Sequence, residues 1–377
     1  MFTTGKIRNF ISLIFITVIN LIFVVKYAAE YLHSPNIAPA IYLILFITIL
    51  TTLNSKHLTK FSEWIDRKYF FIVIILLFLS IVFIYTIPRF GSVGRLTAIE
   101  EWLGLLFNGI YPYTSYITPS AFPFFYFLIS PFYFINQLGF LEVTGLLILL
   151  LLIKKYSVSN RNLIVLLFLL FVSPILYHDF AVRSELTFNV ALFIILAAFL
   201  NDEVKLKGFR FLLFGVLFGL VLSTRSVMIV PMIIFLLFYF RNDFKKLFLF
   251  GAIIVVVFIL QILPLVIWDA NLFIEKGPFA IQSHLADLPK WFIGFCIILS
   301  IYFGWIVQNI REVFFTTGIM LFIMIITSYI SKIFEFGFQL AFFGDNYIDP
   351  AYLAFVLPFL ILSVEDYEID KALGRML

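Results

Sequence analysis

The chain has 377 residues, 63% of them hydrophobic and only 13% charged, with a formal net charge of +4 and a mean hydropathy of +1.09. Soluble domains carry about 25% charged residues, so this chain lacks the polar surface that a fold in water requires, and lipid must be its solvent. A single cysteine, Cys296, excludes a disulfide framework, a CxxC redox pair and a thiolate zinc site.

Lys6 and Arg8 precede an apolar run from Phe10 to Val25. The run is longer than a signal-peptide core and no small-x-small cleavage site follows, so it reads as a retained first helix. Further apolar runs cover 38–53, 69–87, 162–177, 186–200, 209–223, 226–240, 247–267, 291–309, 313–330 and 351–364. A helix needs about 20 residues to cross the hydrocarbon, so several of these extend into their flanks. The stretch 121–153 is too long for one crossing and contains Pro123, Pro131 and Gly139. It is expected to make one net crossing, with 121–137 as a re-entrant or interfacial helix or as part of one kinked span. The expected fold is an all-α integral membrane bundle of about twelve spans, one polytopic domain over 1–377. No internal repeat or linker divides it.

Cytoplasmic loops collect Lys and Arg. With the N-terminus inside, 18 of the 26 basic residues fall on the cytoplasmic side, chiefly in loops 54–68, 154–161, 205–210 and 241–246. The other 8 fall outside: Lys26, Arg89, Arg95, Arg183, Arg225, Lys276, Lys290 and Lys332. Three outer loops, 88–120, 268–290 and 334–350, are longer than tight turns, and Trp102, Trp268 and Trp291 at their edges read as an aromatic belt. The working face is therefore expected to be extracytoplasmic, on an inner or plasma membrane.

No GxGxxG, P-loop, HExxH or GxSxG motif is present. Chemistry instead rests on ionisable groups at the outer edge, where charge is costly. In the first outer loop, Leu96, Ile99, Leu103 and Leu106 stand at helical spacing and predict a short helix on the membrane surface, carrying Glu100 and Glu101. Between two spans lies Tyr177-His178-Asp179-Phe180-Ala181-Val182-Arg183-Ser184-Glu185. His178 and Asp179 are ligand types for a metal, but one of each is a thin set; no metal is assigned, and the need for a divalent cation stays open. Asp179 and Arg183, spaced i,i+4, equally suit a plain helix-end ion pair. Arg225 sits in a turn between two apolar runs and requires an anion: lipid phosphate, a carboxylate or a substrate.

This pattern resembles the GT-C glycosyltransferases, polytopic enzymes that use polyprenyl-phosphate sugars. The matching text is Glu100-Glu101-Trp102, Gly109-Ile110-Tyr111-Pro112-Tyr113, Ala121-Phe122-Pro123, Arg183-Ser184-Glu185 and Ser223-Thr224-Arg225 before Pro231. The likeness covers roughly residues 69–290, with two extra spans within 1–68 and further spans over 291–377. It departs in offering glutamates where many members carry a first-loop aspartate, and in lacking a large C-terminal soluble domain. The resemblance implies a sugar moved from a polyprenyl-phosphate donor to the hydroxyl of a glycan, lipid or protein acceptor. Glu100 or Glu101 would be the base. Arg225 and Arg183 would hold the phosphate, with His178, Asp179 and Glu185 beside them at the substrate. Two other readings compete: an O-antigen-type polysaccharide polymerase or ligase, and a lipid-linked-sugar flippase or transporter. No nucleic-acid partner is expected.

Overall fold

The computed structural model describes residues 5–31, 37–53, 59–87, 95–117, 120–203, 206–344 and 347–365. Of the first outer loop, 88–94 lie outside the described residues, and with them Arg89. The described residues form helices and turns with no strand. In order they are α1 (Gly5–Tyr31), α2 (Ala38–Leu53), α3 (Thr59–Arg67), α4 (Tyr69–Thr86), α5 (Arg95–Phe107), α6 (Pro123–Phe134), α7 (Phe140–Tyr156), α8 (Asn160–Phe171), α9 (Pro174–Val182) and α10 (Leu186–Asp202). There follow α11 (Gly208–Leu222), α12 (Ile229–Phe240), α13 (Phe244–Trp268), α14 (Ala270–Lys276), α15 (Pro278–Ala286), α16 (Lys290–Ile306), α17 (Ile310–Phe336), α18 (Phe338–Phe343) and α19 (Leu357–Ser363).

Unbroken runs of Phe, Ile, Leu and Val become helices because lipid offers backbone N–H and C=O groups no other partner. Polar caps mark where helices leave it: Ser159 accepts from the Asn162 N–H (3.0 Å), Asp269 from Leu272 (2.9 Å) and Asn309 from Glu312 (3.0 Å). Every apolar run read from the sequence is occupied by helix. Among the described residues, four helical segments are long and apolar enough to cross a bilayer: Gly5–Ala28, Tyr69–Thr86, Phe244–Trp268 and Ile310–Phe336. Two pairs reach that length only together. Asn160–Phe171 and Pro174–Val182 bend by 51° at the break before Pro174, which cannot donate to the preceding turn. Ala270–Ala286 and Lys290–Ile306 bend by 90°. The outward face of α4, with Phe70, Phe71, Ile74 and Phe78 each more than 60% exposed, suits hydrocarbon and not water.

Small residues set the closest crossings. A Cβ on Gly145 of α7 would stand 3.0 Å from the Phe188 Cα of α10, and one on Gly304 of α16 would stand 2.9 Å from the Ile234 C=O of α12. Beside the main core, a second cluster joins α5 and α6 to their neighbours through Leu96, Ile99, Trp102, Leu103, Tyr126 and Ile129. Trp102 corrects one expectation: it is fully buried, stacked on Tyr126 at 4.0 Å, because the apolar face of α5 meets α6. Trp268 and Trp291 do face outward.

The segment 121–153 divides into α6 and α7. The chain entering α6 is tied to the turn after α11, where the Phe122 N–H donates to the Thr224 C=O (3.1 Å). The turn leaving α6, Asn136 to Gly139, meets Ile84 and Arg183. Both ends of α6 thus lie at the same end of the bundle, as a re-entrant or interfacial helix does, and α7 runs from there to the other end. The ion pairs sort the same way. Lys154–Asp66, Lys155–Asp202, Arg210–Glu203 and Arg8–Glu365 gather at the basic end. Arg95–Asp349 and Arg225–Glu185 lie at the other, hereafter called the outer end after the orientation expected from the Lys and Arg distribution.

Candidate functional site

The corner between α9 and α10 forms the floor of the outer-end site. Pro174 opens α9, and the helix ends when Arg183 adopts the left-handed conformation (φ 53°). The Ser184 N–H then closes onto the Asp179 C=O at 2.9 Å. Asp179 is fully buried and accepts from the Thr187 hydroxyl at 2.6 Å. The His178 ring lies against Phe23 (5.1 Å) and Tyr27 (4.9 Å). Arg183 donates to the Ile84 C=O at the end of α4 (2.9 Å).

Glu185, just before α10, pairs with Arg225 in the turn after α11. Both side chains are buried, at 1% and 6% exposure. Arg225 also donates to the Ser120 hydroxyl, and Gln282 of α15 bridges Ser226 and the Ser120 C=O. The outer loop 268–290 is thereby folded onto the site. Four separated stretches meet here: 120–122, 183–185, 223–225 and 282.

Two partners were not foreseen. Arg95, at the start of α5, donates to Ser184 Oγ (3.0 Å) and Asp349 Oδ2 (2.7 Å) and lies over the Tyr352 ring at 4.8 Å. The Tyr329 hydroxyl holds the Asp349 C=O, and Lys26 of α1 holds the Ile348 C=O. Desolvation pushes the Asp349 carboxyl upward, but Arg95, the Ala351 N–H, His178 and Lys26 outweigh it and hold the group below the ordinary carboxylate range. The other omission is Glu142, on the first turn of α7. It is 1% exposed, and neither carboxylate oxygen has a protein partner among the described residues. A lone acid inside the apolar run Leu141-Glu142-Val143 was the signal for it, since intramembrane carboxylates are rare without a task.

Glu100 and Glu101 separate. Glu101 accepts backbone N–H bonds at both oxygens, from Tyr116 (2.7 Å) and Ile117 (3.1 Å), and so folds the connector after α5. Glu100 is half-buried and stands one turn from Leu96 on α5. Leu96 lines a pocket of about 180 Å³ together with Ile84, Tyr85, Asn136, Gln137, Leu138, Gly139 and Arg183. Among the described residues, no three His, Cys, Asp or Glu side chains gather as a metal site. Compared with known proteins, the chain matches no family profile, no curated protein and no solved structure.

Proposed function

We propose that the protein is a GT-C-like membrane glycosyltransferase of about twelve spans that uses a polyprenyl-phosphate sugar at the outer, extracytoplasmic end. One observation carries the reading. The stretches that resemble that superfamily, Ala121-Phe122-Pro123, Arg183-Ser184-Glu185 and Ser223-Thr224-Arg225, lie up to a hundred residues apart yet bond to one another through Phe122–Thr224 and Arg225–Glu185. The helix bearing Glu100 is fastened to the same place through Arg95 and Ser184.

The chemistry needs few parts. The acceptor hydroxyl gives its proton to a carboxylate, its oxygen bonds to the anomeric carbon, and the carbon–oxygen bond to phosphate breaks with its electron pair leaving on the phosphate. Phosphate is a stabilised leaving group, so no general acid is required. Glu100 is the preferred base, since Glu101 is committed to two backbone N–H groups. Arg183, in the pocket wall, is the cation assigned to the developing phosphate charge. The buried Arg225–Glu185 pair keeps 120–122 against the corner.

The test is turnover in proteoliposomes supplied with a panel of labelled polyprenyl-phosphate monosaccharides, with water as the fallback acceptor. One donor should be consumed, and Glu100→Gln should slow consumption about 100- to 10,000-fold. If no donor is consumed while a fluorescent lipid-linked sugar becomes accessible across the bilayer, the protein is a flippase. Products that lengthen by whole repeat units would make it a polymerase.

A further inference from the structure

The basic end carries a helix that the outer-end chemistry leaves unused. α3 is joined to the span α4 through Lys68 alone, whose N–H donates to the Trp64 C=O (3.0 Å) and whose C=O accepts from the Ile72 N–H (2.9 Å). At about 100° per residue, Ser62, Ile65, Asp66 and Tyr69 fall on one face of this stretch and Lys60, Phe61, Trp64, Arg67 and Lys68 on the opposite one. The first face is fixed to the bundle. Ser62 is buried, Asp66 pairs with Lys154 of α7, and the hydroxyl of the buried Tyr69 donates to the Leu150 C=O at 2.6 Å. The second face is exposed, with Phe61 at 46%, Trp64 at 54% and the Arg67 side chain at 76%.

Phe61 and Trp64 lie side by side, with ring centroids 6.1 Å apart and planes 13° from parallel. An exposed aromatic pair on an otherwise charged helix marks a surface that meets something apolar. The adjoining residues say what that is: Phe70 and Phe71, each more than 60% exposed, open the lipid-facing side of α4. Five residues of helix rise at most about 7.5 Å, so Trp64 stays that close to Tyr69, where the span begins. The headgroup layer is itself about 5–8 Å deep, and Trp is favoured at that depth. Charge completes the match. Glu63 is paired with Arg67 (3.5 Å) and Asp66 with Lys154. Lys60 and Lys68 are exposed and have no ion-pair partner among the described residues, so the outward face carries surplus positive charge.

From this we infer that α3 is an interfacial anchor that binds anionic lipid headgroups at the basic end, with its two rings at the edge of the hydrocarbon and Lys60, Arg67 and Lys68 on the headgroup charge. The occupant is a glycerophospholipid of net negative headgroup. The face lies at the opposite end of the bundle from the candidate site, so it serves a transferase, a polymerase or a transporter alike.

The full chain is reconstituted in liposomes of equal phosphatidylcholine and phosphatidylglycerol, with photoreactive benzoyl-phenylalanine at Phe61 or, in a second preparation, at Phe78 of α4. Phe78 is also exposed but lies in a span without charge. The lipid captured on illumination is identified by mass spectrometry. Phe78 should report the bulk composition, whereas Phe61 should capture phosphatidylglycerol in preference. Each cation held near an anionic surface is worth about five-fold at most, so Lys60→Gln with Lys68→Gln should lower the preference at Phe61 by up to about 25-fold. Raising the salt to about 1 M, where the Debye length falls to about 3 Å, should erode it in the same direction with both lysines in place. Equal lipid ratios at Phe61 and Phe78, or a preference that survives both the double substitution and the salt, overturns the proposal. So does a protein adduct in place of a lipid adduct at Phe61 in intact cells, which would make α3 a docking face for a soluble partner.

Discussion

The buried pair between Glu185 and Arg225 gives the most direct handle on the outer end. Arg225→Ala leaves the Glu185 carboxylate at 1% exposure facing neither a cation nor water, and it also releases Ser120. Breaking one side of a buried pair is strongly destabilising, by about 3–5 kcal/mol, against a whole-fold stability of about 5–15 kcal/mol. Removing both charges behaves differently, because the desolvation of the surviving carboxylate disappears with it. Glu185→Gln combined with Arg225→Met should therefore recover at least half of what Arg225→Ala loses. The assay is the temperature at which half of the protein leaves the monodisperse peak of a size-exclusion column, measured for the parent, both single variants and the double. A double variant as unstable as Arg225→Ala would refute the idea that an uncompensated charge is the cause. Donor turnover by the stabilised double variant then shows whether Arg225 acts on substrate or only holds the corner.

Other outcomes follow from the same geometry. Glu101→Gln removes one of two carboxylate acceptors from the 116–117 backbone and should lower thermal stability more than turnover, whereas Glu100→Gln should do the reverse. In a Cys296→Ala background, a cysteine at the exposed Ser283 should react with an impermeant thiol reagent on intact cells and one at Ser157 only after permeabilisation; the opposite result inverts the orientation. Trp102→Ala should cost about 3–5 kcal/mol, since the ring is fully buried on Tyr126, and a neutral result would mean that α5 sits free on the surface. Asp349 titrates below its ordinary value, so its contribution is complete above about pH 3.9 and fades as the pH falls through the folded value. The stability gap between the parent and Asp349→Asn, followed by denaturation from neutral to acid pH, should accordingly close on acidification and not on the alkaline side.

Helix positions were legible because lipid leaves an apolar run no alternative to helix, and the spacing of Leu96, Ile99 and Leu103 marked the buried face of α5. What that face packs against was not legible. The aromatic-belt rule placed Trp102 at the lipid edge because it reads position along the chain, whereas burial depends on α6 folding back over α5. The path of 121–153 stayed ambiguous for a related reason: a twelve-residue, mostly apolar helix with Pro123 and Pro131 suits both a half-span and the start of a kinked one, and only folding brings its two ends to Thr224 and Arg183. Arg95 and Asp349 are 254 positions apart, so only folding pairs them. The charges at 178–185 were visible, but not that Arg183 would end α9 in the left-handed conformation and reach the Ile84 C=O.

The two ends of the bundle use buried charge differently, and that difference bears on which end does chemistry. At the basic end, Arg8 donates to the Ser363 C=O at 3.2 Å and Arg311 to the Val364 C=O at 2.8 Å. These are the carbonyls at the C-terminus of α19, where helix ends present unsatisfied acceptors and the negative pole of the dipole, so their cations complete a helix. Glu365, beside them, pairs with both arginines and stays 37% exposed. At the outer end Glu142, Asp179 and Glu185 are buried carboxylates, while Asp349 stays 42% exposed. Both oxygens of Glu142, Oδ1 of Asp179 and Oε2 of Glu185 have no hydrogen-bond partner among the described residues; Glu142 in the first turn of α7 and Glu185 before α10 stand at helix N-termini, where the dipole favours a carboxylate, yet neither caps an N–H there. Buried acceptors without partners destabilise a fold, and such groups persist where catalysis or binding requires them. If Glu142 were only a packing residue, Glu142→Gln or Glu142→Leu would leave turnover intact. Loss of turnover, in a variant at least as thermostable as the parent, would add Glu142 to the outer-end site.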